Sequence, residues 1–437
     1  MAVVRSDSVG WWLDHLSYIN QAYRCCHHGP RPRRYVFRAE YFDIERPHIA
    51  DSGTAGGVEP AGEDPQPKGR KRKRKIQEPN RGEVEAREYH GQVSLAIRDG
   101  TRKLVDRTEA GEGRTDTGAP GVGHGTKTRP ASAIGSSMLA ELCSMAKRMA
   151  EEQHRPVQVI SLEAGTATGL DLLARLTQNA TDCARIVTLM GHRYLLPPRC
   201  TFLLSDISGL GALVGRGKYD VITLDPPWEN KSVKRSGGYS HLFPWQIRQI
   251  PVPSLAAPGC LVASWVTNRQ RHRRFVREEL YPGWSVQVVA EWHWVKVTRH
   301  GEFVVPLDSA HKKPYEILVL GRYKGSPEWA EGEPVTATLP VPDRKLMVSV
   351  PCALHSHKPP LGEVLKGLTG PHPQCLELFA RNLQPGWTSW GNEVLKFQHL
   401  DYFQELDPEE GDGNCSQTQE TGAGGDHSAP RACSAIR

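Results

Sequence analysis

The pattern of apolar and polar positions is clearest in a set of short apolar runs that stop at charged or small residues. Tyr219-Asp220-Val221-Ile222-Thr223-Leu224 is apolar on both faces that a strand presents, which predicts a strand buried inside a parallel sheet. Comparable runs predict strands at 202–205, 261–266, 285–296, 316–321 and 375–380. Residues 157–162 and 35–37 read the same way, and 11–13 as an ordered segment. Between 133 and 153, Met138, Leu139, Leu142, Met145 and Met149 recur at helical spacing, a stripe suited to packing in the core. Strands alternating with helical stretches predict an α/β fold with a mostly parallel sheet.

Composition shifts divide the chain. An ordered N-terminal segment is expected over 1–50, and a mostly disordered linker rich in Gly, Pro and charge over 51–131, with a short ordered piece at 84–98. A helical and α/β lead-in over 132–198 precedes a catalytic domain over 199–400, and 401–437 reads as an acidic disordered tail. Within the linker, Lys68-Gly69-Arg70-Lys71-Arg72-Lys73-Arg74-Lys75 reads as a nuclear import signal or a nucleic-acid tether. The expected address is the nucleus, through an import receptor, with cytosol or mitochondrion as alternatives; Asp7 and Asp14 speak against a mitochondrial presequence. No apolar run is long enough for a membrane-spanning helix, and the N-terminus lacks the apolar core of a secretory signal. The 10 cysteines follow no framework spacing and are expected as reduced thiols. Cys25-Cys26-His27-His28 raises a zinc reading, but adjacent ligands suit a tetrahedral ion poorly, so no metal is expected.

The candidate chemistry sits where the strand at 219–224 ends, in Asp225-Pro226-Pro227-Trp228. Ligands of open α/β sheets bind at the carboxyl ends of strands. An aromatic amine is a weak nucleophile because its lone pair is delocalised into the ring. Asp225 and the carbonyl of Pro226 can each accept one amine N–H and aim the lone pair outward. Pro226 and Pro227 fix the backbone that holds these acceptors. Trp228 offers a ring face for base stacking, worth about 1–3 kcal/mol. The reading is methylation of the exocyclic amine of a flat base, which must be single-stranded or flipped out of a duplex. Strand, glycine turn and helix at 157–173 resemble a nucleotide loop only superficially, because Gly165 and Gly169 do not fit the dinucleotide spacing.

Further pieces follow in order: Trp294-Val295-Lys296, His311-Lys312-Lys313, Glu377-Leu378-Phe379-Ala380-Arg381-Asn382 and Gly391-Asn392-Glu393. Together with Asp225–Trp228 they resemble the MT-A seventy-kilodalton family of adenine-N6 methyltransferases, over roughly half the chain. His357-Lys358-Pro359-Pro360-Leu361 and the run from Gly386 to Glu393 narrow the resemblance within that family. The resemblance implies a Rossmann-like sheet with permuted motif order and S-adenosylmethionine as methyl donor. It implies that Asp206 and Ile207 border the donor's adenine and that Asp225 lies near its amino group. Lys313, or Lys312 one residue earlier, would meet its carboxylate. Glu377, Arg381, Asn382, Asn392 and Glu393 would bind its ribose and nucleoside. Two departures stand out: Arg381 and Asn382 are adjacent where the family has spacers, and Glu393 stands where an amide is usual. The resemblance implies small nuclear RNA as substrate, at N6 of a 2'-O-methyladenosine, with DNA adenine as a further substrate.

Basic residues near the motif suggest where nucleic acid lies. Lys231, Lys234, Arg235 and Tyr239 form a loop suited to gripping phosphates, and Arg269 begins a basic cluster after the strand at 261–266. Lys296, with Trp228, completes the expected substrate surface. Two other functions fit parts of the pattern: a non-catalytic nucleic-acid-binding partner of another methyltransferase, and a methyltransferase for an amide nitrogen. The intact motif argues against the first and its leading Asp, rather than Asn, against the second.

Overall fold

The computed structural model describes residues 2–27, 32–48, 80–106, 141, 145, 158–160, 175–229, 241–309, 312–325 and 339–406. Its strands in chain order are β1 Val3–Ser6, β2 Gly10–Leu13, β3 Cys26–His27, β4 Pro32–Phe37, β5 Gln158–Ile160 and β6 Thr177–Asn179. They continue with β7 Arg185–Leu189, β8 His192–Leu196, β9 Thr201–Leu204, β10 Tyr219–Leu224, β11 Ala256–Val266 and β12 Val286–Lys296. The last are β13 Tyr315–Tyr323, β14 Leu346–Ser349, β15 Cys375–Leu378, β16 Trp387–Gly391 and β17 Phe403–Leu406. A 12-stranded sheet runs in the order β1-β2-β14-β12-β13-β11-β10-β15-β16-β9-β6-β5. From β11 through β10, β15 and β16 to β9 every neighbour is parallel, as the doubly apolar strand patterns predict.

Both faces of this sheet are buried, and the two-residue period decides which side chain goes where. In β11, Leu261, Ala263 and Trp265 join one apolar cluster, while Cys260, Val262 and Val266 join the cluster on the opposite face. In β10, Val221 points one way and Ile222 and Leu224 the other. The first cluster is covered by Leu361, Val364 and Leu365; the second by Tyr89, Ile97 and Leu104 together with Ile247, Phe275 and Tyr281.

Three expectations about organisation are corrected. The N-terminal segment is part of the main sheet: β2 pairs parallel with β14, and β1 closes the edge. Helix α1, His15–Gln21, follows directly, capped by the Asp14 carboxylate accepting from Ser17 N at 2.9 Å. The expected linker contains a 25-residue helix α2, Arg81–Val105. A reciprocal cap starts it: Asn80 Oδ1 accepts from Glu83 N, and Glu83 Oε2 accepts from Asn80 N. Its buried stripe hides the pattern because it includes His90, Gly100 and Thr101 beside Tyr89, Ile97 and Leu104. Gly100 is required by close approach, since a Cβ there would sit 2.5 Å from Leu346 Cδ1 and 2.7 Å from Val9 Cγ1. The expected disordered tail starts too early, because β17 pairs with β4. Within the expected helix at 133–153 only Glu141 and Met145 are described, both helical. The basic run at 68–75 lies outside the described residues. Among the described residues no helix is long and apolar enough to cross a membrane.

Candidate active site

The carboxyl end of β10 lies between parallel neighbours β11 and β15, where chain connections leave to opposite sides. Such a switch point opens a crevice. Asp225 is the first residue past β10; its N–H donates to Leu378 O at 3.3 Å, which prolongs the pairing with β15. The chain then turns sharply at Phe379, whose φ of 63° is left-handed. Gly391, at the end of β16, makes room for that turn: a Cβ would approach Ala380 O at 2.8 Å and Ala380 N at 3.1 Å.

Charged side chains of alternating sign line this sheet edge. Arg381 Nη1 donates to Asp225 Oδ2 at 2.6 Å, and its Nε donates to Glu393 Oε2 at 3.2 Å. Lys396 Nζ lies 3.1 Å from Glu393 Oε1. On the other side, Lys358 Nζ lies 3.6 Å from Asp225 Oδ1 and 2.5 Å from Glu316 Oε2. Lys296 Nζ donates to Glu316 Oε1 at 2.5 Å and rests 4.4 Å from the centre of the Trp294 ring. The row therefore reads Lys296, Glu316, Lys358, Asp225, Arg381, Glu393, Lys396, with each carboxylate between two cations. The groups are mostly covered, so each pairing is worth more than a surface ion pair, and removal of one member strands another. Burial alone would push the Lys358 ammonium down, but the Asp225 and Glu316 carboxylates overcome it and raise it. Burial would likewise raise Glu316; the two lysines beside it hold it well below the usual carboxylate range.

Glu377, on β15, is the exception. Burial, reinforced by the Asp225 charge, pushes its carboxyl up to about 7, against the opposing hydrogen bond from Gln384 Nε2 at 2.8 Å. It lines a narrow cleft with Thr223, Trp265, Lys358, Asn382 and Gln384.

Trp228 differs from expectation. Its indole is only 8% exposed and belongs to the core under the loop. Nε1 donates to Trp265 O at 2.9 Å, His272 stacks on the ring at 4.9 Å and 18°, and Phe275 meets its edge. An open face for base stacking is therefore replaced by a wall that anchors the motif. Pro226 O accepts Trp228 N–H at 2.8 Å, which leaves one lone pair for another donor.

The basic cluster after β11 braces this loop. Arg269 Nη1 donates to Glu229 O at 3.3 Å, and Arg271 Nη2 pairs with the Glu229 carboxylate at 2.7 Å. Arg271 Nε donates to His272 Nε2, so His272 carries its proton on Nδ1 and donates to Thr267 Oγ1 at 2.7 Å. Burial, then the Arg271 and Arg269 charges, lower His272 to about 4 and keep the ring neutral. Arg273 and Arg277 bind Glu291, and Arg274 binds Glu85. Arg271, Arg273, Arg274 and Arg277 are thus paired with carboxylates of the protein, and Arg269 with a backbone carbonyl. Lys296 is likewise committed to Glu316.

Lys313 is also corrected. Its Nζ donates to Leu307 O at 3.3 Å and faces Asp308, while Lys358 is the lysine beside Asp225. Sequence reasoning quoted Lys358 within a motif but gave it no role; its pairing with Asp225 joins residues 133 positions apart, which spacing cannot reveal. Gln384, Glu316 and His272 were missed for the same reason. Asp206 Oδ1 accepts from Ser208 N and Oγ, so it caps the short helix Ile207–Leu213, with Ile207 packed against the core. Asn382 faces the cavity, whereas Asn392 is exposed. Lys231, Lys234, Arg235 and Tyr239 lie outside the described residues.

A parallel α/β sheet with an Asp-Pro-Pro-Trp loop at its switch point, beside a cavity with paired cation and carboxylates, defines a Rossmann-like methyltransferase. Residues 219–393 match the MT-A70 family. The chain is 43% identical to the N(6)-adenine-specific methyltransferase METTL4 of Homo sapiens, over 92% of this chain and 98% of that protein. It is 37% identical to the N6-methyladenosine RNA methyltransferase MTA1 of Pyricularia oryzae, over 47% and 55% of the two chains. Identity to the DNA N6-methyl methyltransferase of Caenorhabditis elegans is 33%, over 48% and 56%. The chain belongs to the MT-A70 family of methyltransferases.

Proposed function

We propose that this enzyme transfers the methyl group of S-adenosylmethionine to N6 of adenine in a nucleic acid, with small nuclear RNA as its main substrate and N6 of a 2'-O-methyladenosine as the target. Its relatives are named for N6-adenine methylation of RNA or of DNA, which supports the adenine reading and leaves both polymers as outcomes of one assay. The observation that carries the reading is Asp225, held at the end of β10 by Arg381 at 2.6 Å and Lys358 at 3.6 Å. Two cations on either side orient the carboxylate. Pro226 O retains one lone pair beside it. These two oxygens are the acceptors for the two amine hydrogens, and they turn the nitrogen lone pair toward the donor side.

The donor set fits S-adenosylmethionine. Lys358 suits its carboxylate, Asp225 its ammonium, and the Glu377 carboxylate its ribose diol, with Asn382 and Gln384 lining the same cavity. We assign Asp206 and Ile207, just past the end of β9, to its adenine, and Arg381, Glu393 and Asn392 to its sugar. When bound, the donor supplies an electrophilic methyl. The protein supplies position, desolvation and a fixed acceptor pair, which are effective because orientation alone can contribute several kcal/mol. Nuclear import through Lys68–Lys75 completes the proposal; a fluorescent fusion with that run neutralised should leave the nucleus, and unchanged nuclear signal would refute it.

The test of substrate is nucleoside mass spectrometry after incubating the purified full chain with S-adenosylmethionine. The substrates are matched RNA oligonucleotides, with and without a 2'-O-methyl on the target adenosine, and a DNA oligonucleotide. N6-methylation fastest on the 2'-O-methylated RNA supports the proposal. Preference for DNA, or for the unmodified ribose, overturns its substrate part.

A further inference from the structure

The fold gathers a cluster of soft metal ligands far from the catalytic edge in sequence and in topology. Strand β3 pairs antiparallel with β4, and its other side meets the start of β7 through a parallel bridge between Cys26 and Ala184. That bridge is fixed by His27 N–H to Ala184 O at 3.1 Å and Ala184 N–H to Cys25 O at 2.8 Å. Alternation along the strand then sorts the side chains. Cys26 and Ala184, both fully buried, point into the apolar cluster of Tyr23, Phe37 and Phe403. Cys25 and His27 share the opposite side, and Cys183 joins them from 158 residues away. Their ligand atoms all lie within 4.8 Å of one another, and Cys25 Sγ is 3.3 Å from Cys183 Sγ.

We infer that Cys25, His27 and Cys183 form a zinc site. The objection that adjacent Cys-Cys-His ligands strain a tetrahedral ion falls away, because only alternate residues ligate and Cys26 is turned inward. Two sulfurs bound to one zinc at about 2.3 Å each sit about 3.8 Å apart at the tetrahedral angle. The observed 3.3 Å needs a slight opening for that, whereas a disulfide needs the sulfurs to close to about 2.05 Å. Arg185 donates to His27 O at 2.9 Å and ties the start of β7 to the strand that carries two of the ligands. On binding, two S–Zn bonds and one N–Zn bond form, and the two thiol protons pass to water, which leaves the site neutral. Cys25 and His27 are half-buried, so the fourth position lies on the solvent side, open to water or a further side chain. The ion would clip the N-terminal strands to the β7–β8 hairpin, a structural role rather than a catalytic one.

The test is the metal content of the reduced, purified full chain by inductively coupled plasma mass spectrometry, followed by cobalt(II) substitution. The site predicts about one zinc per chain and a sulfur-to-cobalt charge-transfer band. Cys25→Ser and Cys183→Ser should each remove both, while Cys26→Ala should keep both. A reduced wild-type chain that takes up no zinc and shows no band would overturn the assignment, whatever the variants do. So would peptide mapping that finds Cys25 and Cys183 joined as a disulfide in the protein as purified.

Discussion

Replacement of Glu377 by glutamine should raise stability and lower donor affinity in the same molecule. The carboxyl is pushed from 4.5 up to about 7, first by burial and then by the Asp225 charge. Below pH 4.5 it is protonated in both folded and unfolded chains, and it contributes no penalty. Between pH 4.5 and 7 the unfolded chain ionises while the folded chain keeps its proton, so stability falls by about 1.4 kcal/mol per pH unit. Above pH 7 both forms are ionised and the full penalty, about 3 kcal/mol, is present. Glu377→Gln is neutral throughout and keeps an oxygen for the Gln384 N–H. Guanidinium unfolding of the full chain from pH 4.5 to 8.5 should show the variant equal to wild type at the acid end. By pH 8 the variant should be more stable by about 3 kcal/mol. Calorimetric titration with S-adenosylmethionine should show weaker binding to the variant. In the wild type, affinity should rise up to tenfold per unit as pH approaches 7 from below, because a diol prefers the ionised acceptor. A stability difference that does not change with pH would refute the placement of a buried, uncompensated carboxyl on β15.

Other outcomes follow from the same geometry. Lys358→Met removes the cation between Asp225 and Glu316; it should cost about 3–5 kcal/mol of stability and weaken the donor more than the nucleic acid, measured by denaturation and calorimetry. Trp228→Ala should lose about 3–5 kcal/mol and most turnover together, because the indole is core beneath the loop; a variant of normal stability that fails only in substrate binding would restore the open stacking face. Gly391→Ala forces the Phe379–Ala380 turn outward; it should cost about 1–3 kcal/mol and lower donor affinity, read by thermal unfolding and calorimetry.

What the sequence disclosed and what it hid divide along a physical line. Strands buried on both faces announce themselves as unbroken apolar runs, so β9 to β13 and β15 were legible, with boundaries close except in β11, which starts at Ala256, five residues before its apolar run. The catalytic loop was legible because Asp225, Pro226, Pro227 and Trp228 are consecutive. Helix α2 was not, because its buried stripe includes His90, Gly100 and Thr101; Gly100 packs against Leu346 and Val9, and His90 stacks on Tyr315. β2 and β14 are four residues each and acquire meaning only as neighbours in one sheet. Motif spacing puts the lysine for the donor's carboxylate at 313, whereas Lys358 is the one beside Asp225, since local spacing cannot say which loop folds back over the sheet edge. Charge type was readable in the cluster from Arg269 onward, but not its commitment to Glu229, Glu291 and Glu85. The open ring face expected of Trp228 depended on neighbours, His272 and Phe275, that lie more than forty positions later.

The most direct test of the central claim is to incubate the full chain, and separately Asp225→Ala, with S-adenosylmethionine carrying a deuterated methyl group and an adenine-containing oligonucleotide. The nucleosides are then weighed. Wild type should place the label on adenine N6, and the variant, folded by circular dichroism, should fall by several orders of magnitude. Label on another atom, or comparable N6 labelling by the variant, would contradict the role assigned to the carboxylate at the end of β10.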